Sequence, residues 1–231
     1  QEAEVRYLVA GGVAVVLHGH PRFTADIDLT VALDEANVRA AAQIAEATGT
    51  PAWFAWQDLA ALELAYGNPQ AAEYVRKGFE AKGGSHWRLH LTRARVCLEI
   101  EETKDVEQAV RDVYAALEHG PADPRIERTA AIALLRANSF EEAAEHARKA
   151  IELGDVPSYA YLVLSIAEAR LGQNEQGREH YRAAIDSWPT ELDEGRYLVS
   201  TEQGMLWLDT RWQLQEWVEE AQVLLHEDDR R

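Results

Sequence analysis

The sequence predicts a mainly α fold: a solenoid of stacked helical hairpins preceded by a small N-terminal α/β element of strand, turn, helix and strand. Three observations lead there. A 34-residue step brings small and apolar residues into phase through the second part of the chain. Composition changes abruptly near residue 50. Ahead of that point, Gly11-Gly12 is followed by a strand-like run bearing two acids two residues apart.

The 231 residues are 47% hydrophobic, enough for a sizeable core in one large or two modest domains. A formal charge of −17 sets the chain against nucleic-acid and anionic-membrane binding, both of which call for a concentrated basic face. Cys97 is the only cysteine, so no disulfide within the chain and no cysteine-based zinc site can form, and the expected compartment is a reducing cytosol. Apolar stretches such as Val13 to Leu17 are far shorter than a membrane helix, and no basic region followed by an apolar one opens the sequence. The chain starts at Gln1 rather than Met, which leaves room for sequence before it.

Residues 1–49 contain no Trp and set three basic residues against seven acidic ones, whereas all seven tryptophans come later. Val5 to Ala10 reads as a short buried strand, Gly11-Gly12 as a tight turn, and Val13 to His18 as the start of a helix. Glycine lets the backbone approach an anion, and the first helical N–H groups point at it, so the place suits a phosphate. In Thr24-Ala25-Asp26-Ile27-Asp28-Leu29-Thr30-Val31, the strand period turns Asp26 and Asp28 to one side. Two such carboxylates can hold Mg²⁺ in oxygen coordination. His18 and His20 flank Gly19 without a third ligand and read as polar turn residues. Thr48-Gly49-Thr50-Pro51 breaks the pattern and marks the boundary between residues 1–49 and 50–231.

Beyond it, stepping by 34 residues aligns Glu107, Glu141 and Glu175; Ala109, Ala143 and Gly177; Ala116, Ala150 and Ala184; and, among apolar residues, Leu98, Ile132 and Ile166, then Leu117, Ile151 and Ile185. Each unit splits into two helical stretches at turn and cap residues, near Thr103 to Asp105, Asn138-Ser139 and Gly172 to Asn174. An earlier unit starts at Trp53, with Gly83-Gly84-Ser85 interrupting the strict period, so four repeats span about 53–189. Leu214, Trp217, Val218, Ala221, Leu224 and Leu225 form one further apolar stripe, part of a pair of capping helices expected over about 192–226. Cys97 is expected at a helix crossing shared with Ala131 and Ser165, and the tryptophans are expected to fill core or cap.

A 34-residue helix-turn-helix period with small residues at the crossings resembles the tetratricopeptide repeat. In Ser158 to Trp188 the residues Tyr161, Leu164, Gly172, Tyr181 and Ala184 stand at that family's spacing, with Pro189 after the second helix and departures at Glu168 and Gly177. The resemblance implies a concave groove lined by the first helix of each hairpin, taking a protein or peptide partner. By that analogy Arg125, Arg128, Tyr159 and Leu162 face the groove, the two arginines suited to a carboxylate or acidic segment.

The order Gly11-Gly12, thirteen residues, Asp26-Ile27-Asp28 is similar to the minimal nucleotidyltransferase signature of the polymerase-beta-like superfamily, and Arg22-x-Thr24-x-Asp26-x-Asp28 to its toxin-antitoxin-associated branch, over about residues 4–47. This resemblance implies that Gly11, Gly12, Arg22 and Thr24 attend an NTP, that Asp26 and Asp28 bind Mg²⁺, and that a nucleoside monophosphate passes to a hydroxyl on a protein, RNA end or small molecule. The family places a third carboxylate on a later strand. Glu99, between apolar neighbours, is the one candidate, although the 34-residue register puts its neighbour Leu98 on a helix. Two readings follow: an interaction scaffold carrying a truncated, inactive transferase-like N-terminus, or a Mg²⁺-dependent nucleotidyltransferase whose repeats select the substrate.

Overall fold

In the computed structural model, which describes residues 7–10, 28–31, 53–81, 86–154, 157–187 and 211–227 together with helical positions 36, 40, 44 and 47, the second part of the chain is a row of four helical hairpins. They pair α1 (Trp53–Ala65) with α2 (Gln70–Glu80), α3 (Trp87–Glu99) with α4 (Val106–His119), α5 (Pro124–Arg136) with α6 (Phe140–Glu152), and α7 (Pro157–Arg170) with α8 (Asn174–Asp186). A further helix, α9 (Arg211–Glu227), packs against α7 and α8. Of the expected pair of capping helices, the first falls outside the described residues. None of the described helices is long and apolar enough to cross a membrane.

Local chemistry explains where the helices stop. Three of the four hairpin turns use one residue in the left-handed region: Gly67 (φ 66°), Asn138 (φ 62°) and Gly172 (φ 75°). Each donates its N–H to the carbonyl three residues back, and the following residue donates to the carbonyl five back, as Gly172 does to Ala169 and Gln173 to Glu168 (3.0 and 2.8 Å). That pair of bonds is a Schellman ending, which satisfies carbonyls the helix leaves open. The α3–α4 turn is longer. A 3-10 turn at Glu101–Thr103 fills it, and Asp105 caps α4 by accepting from the N–H of Gln108 (2.9 Å).

The small residues in phase lie where helices cross. Ala109, Ala116, Ala143, Ala150 and Ala184 are fully enclosed and Gly177 is buried, so backbones approach closely there. Around them pack Leu59, Leu89, Leu162 and Ile166, each fully buried and each contributing about 1.5–3 kcal/mol relative to exposure. The first helices touch one another in sequence, α1 with α3, α3 with α5, α5 with α7 and α7 with α9. Each second helix instead meets its own first helix and the first helix of the next hairpin. A stack whose members pack directly only along the first-helix layer curves toward that layer, which makes it the inner face.

The strict 34-residue step holds for the second helices, which begin at residues 106, 140 and 174. It fails between α3 and α5. These start at residues 87 and 124 and end at 99 and 136, an offset of 37, because the α3–α4 connection spans 100–105 where α5–α6 needs only 137–139. Leu98 is therefore not the counterpart of Ile132. Cys97 corresponds to Leu134 rather than to Ala131, and it is packed with Ala94, Ala109 and Val113.

In the N-terminal part, β1 (Tyr7–Ala10) and β2 (Asp28–Val31) pair antiparallel, with Tyr7 opposite Val31 and Ala10 opposite Asp28. Both lie within the runs read from the sequence, whose remaining residues, 5–6 and 24–27, lie outside the described residues. The glycine turn and the helix expected between the strands lie outside the described residues.

Candidate binding face

The inner face takes its side chains from α1, α3, α5 and α7. On α3 and α5 the corrected register superimposes two identical features. Thr92 Oγ1 donates to the carbonyl of Arg88 (2.9 Å) and Thr129 Oγ1 to that of Arg125 (2.8 Å). The preceding caps also match, His86 Nδ1 accepting from the N–H of Arg88 (3.3 Å) and Asp123 Oδ1 from that of Arg125 (2.8 Å). Arg88 and Arg125 thus hold the same place on successive first helices, a relation the 34-residue step conceals. The Arg-x-x-x-Thr spacing shared by the two helices was the signal that could have revealed it.

These two helices are basic in an acidic protein. They carry Arg88, Arg93, Arg95, Arg125, Arg128 and Arg136 against Glu99 and Glu127, in a chain of formal charge −17. Four of the arginines have carboxylate partners. Arg93 grips buried Asp112 (2.7 Å), Arg95 binds Glu99 (2.7 Å), Arg125 binds Asp123 (2.9 Å from Nε) and Arg136 reaches Glu220 of α9 (3.2 Å). Arg128 lies over the Tyr159 ring, 5.4 Å from its centroid. Arg88 differs from the four paired arginines. Its guanidinium carbon lies 5.4 Å from the Phe54 centroid and 5.3 Å from that of Trp87, and among the described residues it makes no ion pair. Nearby Asp58 reaches solvent, yet desolvation by the surrounding protein pushes its carboxyl up to about 6, with Arg88 drawing it the other way.

Of the residues expected to line the groove, Arg125 and Arg128 are half-buried on α5, Tyr159 is 7% exposed, and Leu162 is wholly enclosed. α9 closes over this end, Trp217 meeting Tyr159 edge to face with centroids 6.5 Å apart. Among the described residues α9 covers the face at α7, touches α5 through Arg136 and does not pack against α1 or α3.

Glu99 ends helix α3 with both carboxylate oxygens taken by Arg95, at 2.7 and 3.1 Å; it is not a strand residue. Asp28 opens β2. Gly11, Gly12, Arg22, Thr24 and Asp26 lie outside the described residues. Among the described residues no cluster of three His, Cys, Asp or Glu side chains could hold a metal ion.

Between the two helices of each hairpin, one slot recurs with changing chemistry. It holds Trp56 stacked on Tyr74 (6.0 Å), His90 Nδ1 against Asp112 Oδ1 (2.7 Å), Glu127 Oε2 against His146 Nδ1 (2.6 Å), and Tyr161 stacked on His180 (5.8 Å). On the second helices the last three positions are 34 residues apart. Beside the last slot, Glu168 is 2% exposed and joins three helices, accepting from Arg148 of α6 (3.0 Å) and pairing with His180 of α8 (2.6 Å).

No family model matches the chain, and no curated protein does. Among solved structures it is similar to a thermophilic TPR protein of Thermus thermophilus, with 18% identity, a TM-score of 0.49, and coverage of 68% of this chain and 86% of that one.

Proposed function

We propose that the chain is a protein-interaction scaffold of the tetratricopeptide type, whose inner face over α1, α3 and α5 receives a segment of a partner protein, and that residues 1–49 carry a truncated nucleotidyltransferase-like element without activity. The observation that carries this reading is the layered stack itself, in which the first helices pack on one another in sequence. Solenoids of this build offer extended concave surfaces. A display of random peptides on which the purified chain selects sequences tests the proposal. Selected peptides should lose affinity when Arg88 or Arg128 is changed to Gln and keep it when Arg111, on α4, is changed. Selection of nothing above background would sink the proposal.

A second reading keeps the enzyme, and it rests on the spacing of Gly11-Gly12 and Asp26-x-Asp28. The pairing of Ala10 with Asp28 is consistent with it, since Ala10 precedes Gly11 in the sequence and Asp28 is one of the two acids. Asp26 and Asp28 would hold the Mg²⁺, which would bind the triphosphate and stabilise its developing charge. Mg²⁺-dependent transfer of α-labelled nucleotide to protein or RNA acceptors, present in the parent and absent from Asp26→Ala/Asp28→Ala, would establish it. Equal label in both would remove it.

A further inference from the structure

We infer that α9 is an intramolecular latch: it lies across the inner face at α7 and the end of α5, and its release uncovers that part of the face for a partner; this rests on the scaffold reading above. Three observations set α9 apart from the first helix of a fifth hairpin.

The first is where it lies. α5 and α7 each pack chiefly on the second helix of the hairpin before them, whereas α9 packs chiefly on α7, a first helix, and only lightly on α8. It also reaches back a further hairpin. Glu220 pairs with Arg170 of α7 and with Arg136 of α5, at 3.2 Å each, and the Arg136 guanidinium lies 5.6 Å from the centroid of the Trp217 ring. The first helices α3, α5 and α7 pack only on neighbouring hairpins. Trp217 itself is 4% exposed and sets its ring against Tyr159. α9 thus takes a ligand's place on the inner side instead of lengthening the row.

The second is the seat made for it. The 34-residue series Ala109, Ala143, Gly177 departs from alanine only in the last hairpin. A methyl at Gly177 would come 3.2 Å from Leu225 Cδ2 of α9 and 3.1 Å from the Ser165 carbonyl, so the missing methyl is where α9 inserts a side chain. Next to it Arg178 donates to the carbonyl of Leu225 (3.0 Å), and Gln222 donates to the Tyr181 hydroxyl (2.7 Å).

The third is how little holds it. Among the described side chains of α9 only Trp217, Ala221 and Leu225 are buried, one stripe at four-residue spacing. The ion pairs of Glu220 involve exposed arginines, and such pairs contribute little. Residues 187–210 separate α9 from α8, where 137–139 suffice between α5 and α6. A connection of that length does not dictate where α9 sits, yet keeps it near enough to compete strongly with a partner.

The test uses the full chain. Hydrogen exchange read by mass spectrometry should show the amides of residues 217–227 exchanging at least about tenfold faster than those of α7 and α8, through an opening that leaves the hairpins folded. Gly177→Ala, a change that favours a helix elsewhere, should speed exchange of α9 about tenfold further and leave α5 and α6 unchanged. A fluorescein-labelled peptide of residues 211–227 should bind Trp217→Gln at least about tenfold more tightly than it binds the parent, because the tethered helix no longer competes. Glu220→Arg should give the same gain without touching a buried residue. Circular dichroism on each variant separates release from loss of fold. Protection of α9 equal to that of α7 and α8 overturns the latch and leaves a fixed cap. Unchanged exchange in Gly177→Ala overturns the seat. Equal affinity of the peptide for parent and both released variants, or binding to none, overturns the competition. Random-peptide selection repeated on Trp217→Gln separates the two readings. Peptides that bind parent and variant alike overturn the inhibition and leave the scaffold intact, whereas selection of nothing by either chain overturns the scaffold reading and the inhibition with it, however fast α9 exchanges. A dimer of the parent that is lost in Trp217→Gln would seat α9 on a second copy and overturn the intramolecular latch.

Discussion

His146 Nδ1 stands 2.6 Å from Glu127 Oε2 across the third hairpin, and one hairpin earlier the same slot holds the reverse arrangement, His90 on the first helix and Asp112 on the second. The partners are 19 residues apart in one case and 22 in the other, the difference being the three extra residues of the α3–α4 turn. Both pairs are largely enclosed, with side chains of His146 and Glu127 12% and 14% exposed. In these two hairpins the slot holds an imidazole and a carboxylate, and the helix that supplies each is exchanged.

That equivalence predicts the outcome of an exchange. Glu127→His alone places two imidazoles in the slot, and His146→Glu alone places two carboxylates. Each should cost about 1–2 kcal/mol, because each loses the imidazole–carboxylate hydrogen bond and puts two like groups in an enclosed slot. The double exchange should return to within about 1 kcal/mol of the parent. Urea unfolding of the four proteins checks it, and additive losses in the double variant would show that the slot is not symmetric.

Asp112 is a buried acid held by three side chains. It accepts from Arg93 twice and from Gln108, pairs with His90, and is 1% exposed. Burial by itself raises the pKa of its carboxyl; the hydrogen bonds from His90, Arg93 and Gln108 outweigh that and hold it below its ordinary 3.8. With the folded value depressed, the stabilisation is complete above the unfolded value and is lost as pH falls through the folded one. The acid limb of the stability curve should therefore steepen below about pH 4. Asp112→Ala should cost about 3–5 kcal/mol near neutrality, since it leaves half-buried Arg93 uncompensated, and should flatten that limb. Urea titrations at a series of pH values measure both.

Cys97 offers a probe of opening. Burial pushes its thiol up to about 11, with Asp112 and Asp105 adding to the effect. A thiol so placed presents almost no thiolate at pH 8. Alkylation by iodoacetamide at that pH should be slower than for the unfolded chain by about a hundredfold or more, the rate then reporting local or global opening. Labelling in the native state at the unfolded rate would contradict the packing around α3 and α4.

Turn substitutions should divide by backbone angle rather than by contact. At Gly172 a methyl group would meet nothing within 4 Å, so Gly172→Ala costs only the left-handed conformation, about 1 kcal/mol. Asn138→Gly, at φ 62°, should stabilise by a few tenths to about 1 kcal/mol. Gly78 obeys the opposite rule: a methyl there would come 2.5 Å from Leu89 Cδ2, and Leu89 is fully enclosed. Gly78→Ala should therefore cost about 1–3 kcal/mol through overpacking. Thermal unfolding midpoints of the three variants give the comparison.

The sequence by itself determined the hairpins, their turns and the small residues at their crossings, because those depend on interactions within a few residues: helical periodicity, capping by Asp105, and left-handed endings at Asn138 and Gly172. Only the tertiary structure decided what the inner face presents. Three extra residues between α3 and α4 reset the register of α3, hiding the kinship of Arg88 with Arg125 from a strict 34-residue step. Tyr159 and Leu162 have the spacing of groove residues, but Leu162 is wholly enclosed and α9 meets Tyr159 through Trp217, and α9 is separated from α8 by more than twenty residues. Whether an arginine is paired or open depends on an acid that arrives from another helix, as Asp112 does for Arg93, and on the cap beside it, as Asp123 is for Arg125 and His86 is not for Arg88. Such partners are chosen by packing across the stack, over distances in sequence that no local pattern spans.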